Sequence, residues 1–167
     1  NFLKLFKNIH NSFKKNLPDI LIVGGLASSR KLKVKNKIFA HCMDYDIYLN
    51  LNNKTEKKEI AYAVFLDEDM ASHPDYAFHN VDSPVNKFQY YPILVKFLKK
   101  FEIETNLKIK FAVHPKSYSK NFQNLLQGID YSVGNTAELV KNSRAVLLHA
   151  STSISYAILF KKPAIFL

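Results

Sequence analysis

The chain has 167 residues, of which 47% are hydrophobic, and a net charge of +10, so it can bury the core of one domain. Its single cysteine excludes an internal disulfide and a cysteine-based zinc site, and is typical of a reducing cytoplasm. No apolar run approaches the roughly 20 residues of a transmembrane helix, and the lysine clusters lack the interleaved aromatics of a nucleic-acid groove.

The first part of the chain contains short, separated predicted elements. Residues 2–13 form an amphipathic pattern with lysines on the polar face, which favours packing on its own domain and leaves contact with an anionic membrane as the alternative. The other elements are a strand at 20–23, a tight turn at 24–29, a basic loop at 30–37, a strand at 38–40 and a polar linker at 50–59.

After residue 60, strands and helices alternate regularly. We expect Ser83 to cap the long helix, Pro92 to kink it, and Asn135 to open the third helix with a capping box. The predicted strands are 61–66, 108–113, 131–133, 145–148 and 164–167, and the predicted helices are 84–101, 119–126, the one beginning at 135, and 151–160. This alternation predicts an α/β fold with a Rossmann-like, mostly parallel sheet, whose ligands bind at the carboxyl ends of the strands.

The strand ending at Val113 is followed by His114, Pro115, Lys116 and Ser117. The proline stiffens the turn, so the imidazole is expected to project from the sheet edge. There it can donate to a phosphate oxygen or assist a phosphate leaving group, and Lys116 and Ser117 are further candidate phosphate ligands. The alternative is a turn histidine that hydrogen-bonds only to the backbone.

A second polar motif follows the strand at 145–148. His149 precedes the hydroxyl residues Ser151, Thr152 and Ser153 at a predicted helix start. Free N–H groups and the helix dipole favour an anion there, although simple capping needs only one of the hydroxyls. Glu138 is a further candidate, either accepting from ribose hydroxyls or completing its capping box.

Asp67, Glu68 and Asp69 follow the strand at 61–66. Paired carboxylates can supply a general base, and we expect Asp67 to take this role. His73 and His79 share the same loop, but no recognisable ligand spacing supports a metal site, and we predict none. The alternative is a solvated acidic loop.

Taken in order, these segments resemble the carboxy-terminal half of bacterial surface-polysaccharide glycosyltransferases of the GT-B type. The resemblance covers residues 17–167 and is carried by 63–67, 73–76, 114–115, 136–140, 149–153 and 160–163. Bacterial sialyltransferases of this fold share an acidic motif, a His-Pro motif and a Ser-Ser/Thr motif. Here Asp67-Glu68-Asp69 is not followed by Gly.

Carried over by position, the resemblance implies that His114, Ser151 and Thr152 bind the nucleotide of a CMP-sugar and that Asp67 is the base. It also implies a metal-independent enzyme without a cofactor. Such an enzyme would transfer a sugar from a nucleotide-sugar donor to a growing capsule or lipopolysaccharide glycan at the cytoplasmic face of the membrane.

The resemblance further implies two Rossmann-like domains with the active site between them. Residues 1–55 would be a remnant of the amino-terminal domain with its linker, and 56–167 a truncated donor-nucleotide-binding domain. Because the sequence starts without Met and stops within an apolar run, we expect a fragment of a longer protein. Two alternatives remain: another enzyme of this architecture, such as a nucleotide-sugar epimerase or polyol-phosphate transferase, and a non-catalytic nucleotide-binding or interaction module.

Overall fold

The structure, a computed structural model, describes residues 18–30, 33–53, 61–116 and 122–167. The chain divides after Asp46 into two compact units. The predicted helix at 2–13 and the candidate phosphate ligand Ser117 lie outside the described residues. The interpretation of the first part as a remnant of another domain stays a prediction.

The first unit contains a parallel pair of short strands. These are β1 (Ile20–Val23) and β2 (Asn36–Phe39), with the short helix α1 (Leu26–Ser29) between them. Their register pairs Ile22 with Ile38. Helix α2 (Met43–Asn52) begins in this unit and replaces the start of the predicted polar linker.

The second unit is a Rossmann-like α/β sheet flanked by helices, which confirms the predicted fold class. Its five strands are all parallel and lie in the order β5-β4-β3-β6-β7. The strands are β3 (Tyr62–Leu66), β4 (Lys108–Val113), β5 (Asp130–Val133), β6 (Ala145–Leu148) and β7 (Ala164–Phe166). The helices are α3 (Pro74–Phe78), α4 (Lys87–Thr105), α5 (Phe122–Leu126), α6 (Thr136–Asn142) and α7 (Ile154–Leu159).

Alternate residues of the buried strands enter two separate hydrophobic clusters, because side chains along a strand point to opposite faces. On one face, Phe65 and Phe111 pack with Leu98 of α4 and with residues of α5. On the other face, Val64 and Val146 pack with residues of α6 and α7. Every residue of β3 and β6 is buried, as expected for central strands of a sheet covered on both sides.

The structure corrects several predicted helix starts. Helix α4 begins after Asn86, whose side chain accepts from the Phe88 N–H at 2.9 Å, whereas the hydroxyl of Ser83 donates to the Met70 carbonyl at 3.0 Å. Asn135 precedes α6 without a side-chain capping bond, so the predicted capping box is wrong. Pro92 lies inside α4, and the kink expected there stays a prediction. Among the described residues, no helix is both long and apolar enough to cross a membrane.

Candidate functional site

The sheet reverses its strand order between β3 and β6. From β3 the chain continues outward through β4 and β5 and then returns to build β6 and β7 on the other side. In sheets of this kind, ligands bind in the crevice outside the carboxyl ends of the strands at such a switch point. The β3–β6 boundary therefore defines the place to look for a site.

A cavity of about 830 Å³ occupies this place. Its wall includes residues that follow β3, β4 and β6, together with the loop before α6 and the end of α2. The predicted site residues that line it are Asp67, His114, Glu138, Ser151, Thr152 and Ser153. The structure thus brings six of the nine candidates together in one cavity.

Asp67 is a buried carboxylate held between the ends of two strands. Its Oδ2 accepts from the backbone N–H of His114 at 3.1 Å, and its Oδ1 accepts from the backbone N–H of Asp69 at 3.2 Å. The Tyr91 hydroxyl donates to Oδ1 at 3.4 Å. Asp67 therefore fixes the backbone that carries the imidazole of His114.

The phenol of Tyr91 stays a proton donor to this carboxylate. Burial, followed by the nearby charge of Asp67, raises the pKa of Tyr91 far above its ordinary range. Burial and the charge of Asp67 likewise raise the pKa of Tyr90. Each phenol remains neutral because its ionised form would lose hydration beside an existing negative charge.

Glu68 follows Asp67 just after the end of β3, and its side chain spans the switch point to reach the loop after β6. Both of its carboxylate oxygens accept from the backbone N–H of Ala150, at 3.1 and 3.0 Å. A negatively charged group therefore already lies against the loop that carries Ser151, Thr152 and Ser153. A phosphate that used the same amide would compete with Glu68.

The three hydroxyl residues after β6 have different surroundings. Ser151 is buried, and its Oγ accepts from the Ser153 N–H at 3.3 Å, whereas Thr152 is exposed. Ser153 stands at the N-cap position of α7 without a side-chain capping bond. Capping therefore does not account for the hydroxyls of Thr152 and Ser153 on the cavity wall.

Two further candidates among the described residues, His149 and Lys116, lie elsewhere. The ring of His149 lies beside Phe65 and Tyr90, and its Nδ1 is 3.2 Å from the carbonyl oxygen of Leu167. It lines a separate, largely apolar cavity of about 610 Å³ and not the cavity at the switch point. Lys116 is exposed and does not line the cavity at the switch point.

The sequence interpretation missed His73 and Asp75 as site residues. Both line the cavity, and the ring of His73 lies 5.4 Å from that of His114, measured between centroids. The available signal was the second His-Pro pair, because both histidines directly precede a proline. No three His, Cys, Asp or Glu side chains among the described residues are grouped so that they could hold a metal ion.

Comparison with known proteins adds no family assignment. No protein-family model matches the sequence, and no curated protein matches it significantly. The fold and the cavity therefore define the class of protein: a Rossmann-like α/β protein with a crevice of mixed polar and apolar lining at the switch point of its sheet.

Proposed function

We propose that this chain is the donor-binding part of a GT-B-type glycosyltransferase, which transfers a sugar from a nucleotide-sugar to a glycan acceptor. The observation that carries the proposal is the cavity at the switch point, where two imidazoles, the hydroxyl residues after β6 and several carboxylates meet. This is where Rossmann-like sheets hold nucleotides.

The two sides of this cavity suit the two parts of a nucleotide-sugar. His114 and the residues after β6 offer ring and hydroxyl donors for phosphate oxygens. Asp67 and Glu138 offer acceptors for the hydroxyls of a ribose or a sugar. A cavity with both sets fits a ligand that joins an anionic group to several hydroxyls.

The proposed reaction is a displacement at the anomeric carbon. The acceptor hydroxyl oxygen bonds to that carbon while the bond to the leaving phosphate oxygen breaks and its electron pair stays with the phosphate. Asp67 accepts the hydroxyl proton, and His114 donates to the leaving phosphate. The hydrogen bond from the His114 N–H to Asp67 would keep the two groups in a fixed relative position.

The test is a transfer assay with the chain, a panel of nucleotide-sugars and glycan acceptors, in which released nucleotide and sugar incorporation are both measured. We expect acceptor-dependent nucleotide release that Asp67→Asn lowers by a factor of at least about 100, as for loss of a general base. Sugar isomerisation without an acceptor would identify an epimerase instead. Tight nucleotide binding without any turnover would identify a non-catalytic binding module.

A further inference from the structure

The rings of His73 and His114 each accept a hydrogen bond from the backbone N–H two residues further along the chain. Nδ1 of His73 accepts from the N–H of Asp75 at 3.3 Å, and Nδ1 of His114 accepts from the N–H of Lys116 at 3.4 Å. An Nδ1 that accepts a hydrogen bond carries no proton in the neutral ring, so the ring hydrogen lies on Nε2. Each ring therefore offers one Nε2–H donor.

The two donors belong to one cavity. Both rings line the space at the switch point, and their centroids are 5.4 Å apart with an interplanar angle of 56°. The side chain of His73 is 27% exposed, so the ring remains accessible from the cavity. This spacing allows the two rings to reach different oxygens of one tetrahedral anion.

The cavity wall carries several carboxylates, so the two imidazoles matter for the binding of any anion. No Lys or Arg is present among the described residues that line it, so the two imidazoles are its only side chains able to carry positive charge. The other charged side chains on the wall are the carboxylates of Asp67, Glu68, Asp75 and Glu138. Among the described lining residues, the imidazoles are therefore the side chains that can offset these carboxylates with positive charge when an anion enters the cavity.

His73 can also take up a proton without leaving its position. The carboxylate of Asp75 lies 3.5 Å from Nδ1 of His73, and the ring of Tyr76 lies 6.3 Å away. When Nδ1 is protonated it can no longer accept from the backbone, but it can donate to Asp75. The protonated ring would then still present its Nε2–H to the cavity.

We propose that His73 and His114 together bind a single phosphoryl group through their two Nε2–H donors. The identity of this group as the phosphate of a nucleotide-sugar rests on the proposed function, whereas the paired site itself requires only a phosphoryl anion. His73 is thereby assigned as a ligand-binding residue alongside His114.

Two substitutions at His73 separate its donor from its structural role. His73→Asn keeps an acceptor where Nδ1 caps α3, since Asn is a good N-cap residue, but it removes the distal donor. His73→Gln extends an amide N–H₂ towards the position of Nε2 and retains a donor. His79→Asn is the matched control, because this exposed histidine of the same segment does not line the cavity.

The experiment titrates the chain with inorganic phosphate and with CMP, UDP, GDP and CDP. Calorimetry gives the affinities, and imidazole NMR resonances show which rings respond. We expect phosphate and one nucleotide to shift the signals of both His73 and His114. His73→Asn should weaken binding at least about tenfold, as for loss of a hydrogen bond to a charged group, with partial recovery in His73→Gln and no change in His79→Asn.

The outcomes separate this proposal from the proposed function. If phosphate binds through both rings but no nucleotide binds, the paired site stands and the proposed function is overturned. If a nucleotide binds equally well to the chain and to His73→Asn, the paired site is overturned and the proposed function stands. If neither phosphate nor nucleotide shifts either ring, both are overturned.

Discussion

The carboxylate of Glu68, which follows β3, accepts hydrogen bonds through both oxygens from the backbone N–H of Ala150, which follows β6. This contact places a negatively charged carboxylate at the switch point of the sheet. It occupies an amide of the loop that leads into Ser151 and Thr152. The arrangement makes Glu68 a competitor for any phosphate that approaches the same amide.

We therefore predict that Glu68→Ala strengthens nucleotide binding by about three- to tenfold, because a carboxylate near the phosphate is removed at the effective dielectric of a protein surface. Titration calorimetry at low and high salt measures the effect, which should shrink as salt screens the charge. Glu104→Ala, on the exposed end of α4, is the control. A weaker affinity in Glu68→Ala would show that Glu68 contacts the ligand favourably instead.

Replacing Asp67 should cost stability as well as activity. In Asp67→Asn, the amide group turns a donor towards at least one of the N–H groups that the carboxylate now accepts, those of Asp69 and His114. We expect a loss of about 1–3 kcal/mol in the free energy of unfolding, measured by urea denaturation. Asp130→Asn, at the exposed start of β5, should change it little. An unchanged stability in Asp67→Asn would contradict the positioning role of this carboxylate.

Stability should decline in alkaline solution through Tyr91. Its pKa is raised in the folded state by burial and then by the charge of Asp67, whereas in the unfolded chain a tyrosine titrates near pH 10. Above that pH the unfolded state loses the proton and the folded state keeps it, so the free energy of unfolding falls by up to about 1.4 kcal/mol per pH unit.

Denaturation curves across this alkaline range test the sign of the effect. Tyr91→Phe should flatten the decline, because the phenylalanine ring has no proton to lose. A slope that is the same in the chain and in Tyr91→Phe would show that the Tyr91 phenol does not remain protonated in the folded state.

Much of the fold could be predicted from the sequence because its central strands are read directly from apolar runs. All residues of β3 and β6 are buried, and such runs between helical segments indicate a parallel sheet. The sequence did not predict helix α2 because it has no pronounced apolar face there. In the structure, correspondingly, none of the described residues of α2 is fully buried. The start of α4 was misplaced because Ser83 and Asn86 are both good capping residues, and tertiary contacts select Asn86.

Only part of the candidate site could be predicted from the sequence, because some of its contacts depend on tertiary structure. Strand ends located Asp67, His114 and Ser151 at one edge of the sheet. The contact between His73 and His114 joins loops that follow different strands, and no local pattern fixes the path of those loops. His149 also follows a strand, but its ring lies towards Tyr90 and the end of β7.

We accordingly expect His149→Ala to leave nucleotide affinity within about twofold while lowering the melting temperature by a few degrees. The substitution removes packing against Phe65 and Tyr90 and the contact with the Leu167 carbonyl, but nothing from the wall of the cavity at the switch point. Calorimetric titration and a thermal melt measure the two effects. A tenfold loss of nucleotide affinity would show that His149 belongs to the ligand site.

The most direct test of the central claim is calorimetric titration of the chain with CMP, UDP, GDP and CDP, beside the double variant His114→Ala, Ser151→Ala and the control His79→Ala. We expect selective binding of one nucleotide, retained in the control and lost in the double variant, whose circular dichroism spectrum stays that of a folded protein. Absence of binding to all four nucleotides by the folded chain, or equal binding in the double variant, would contradict it.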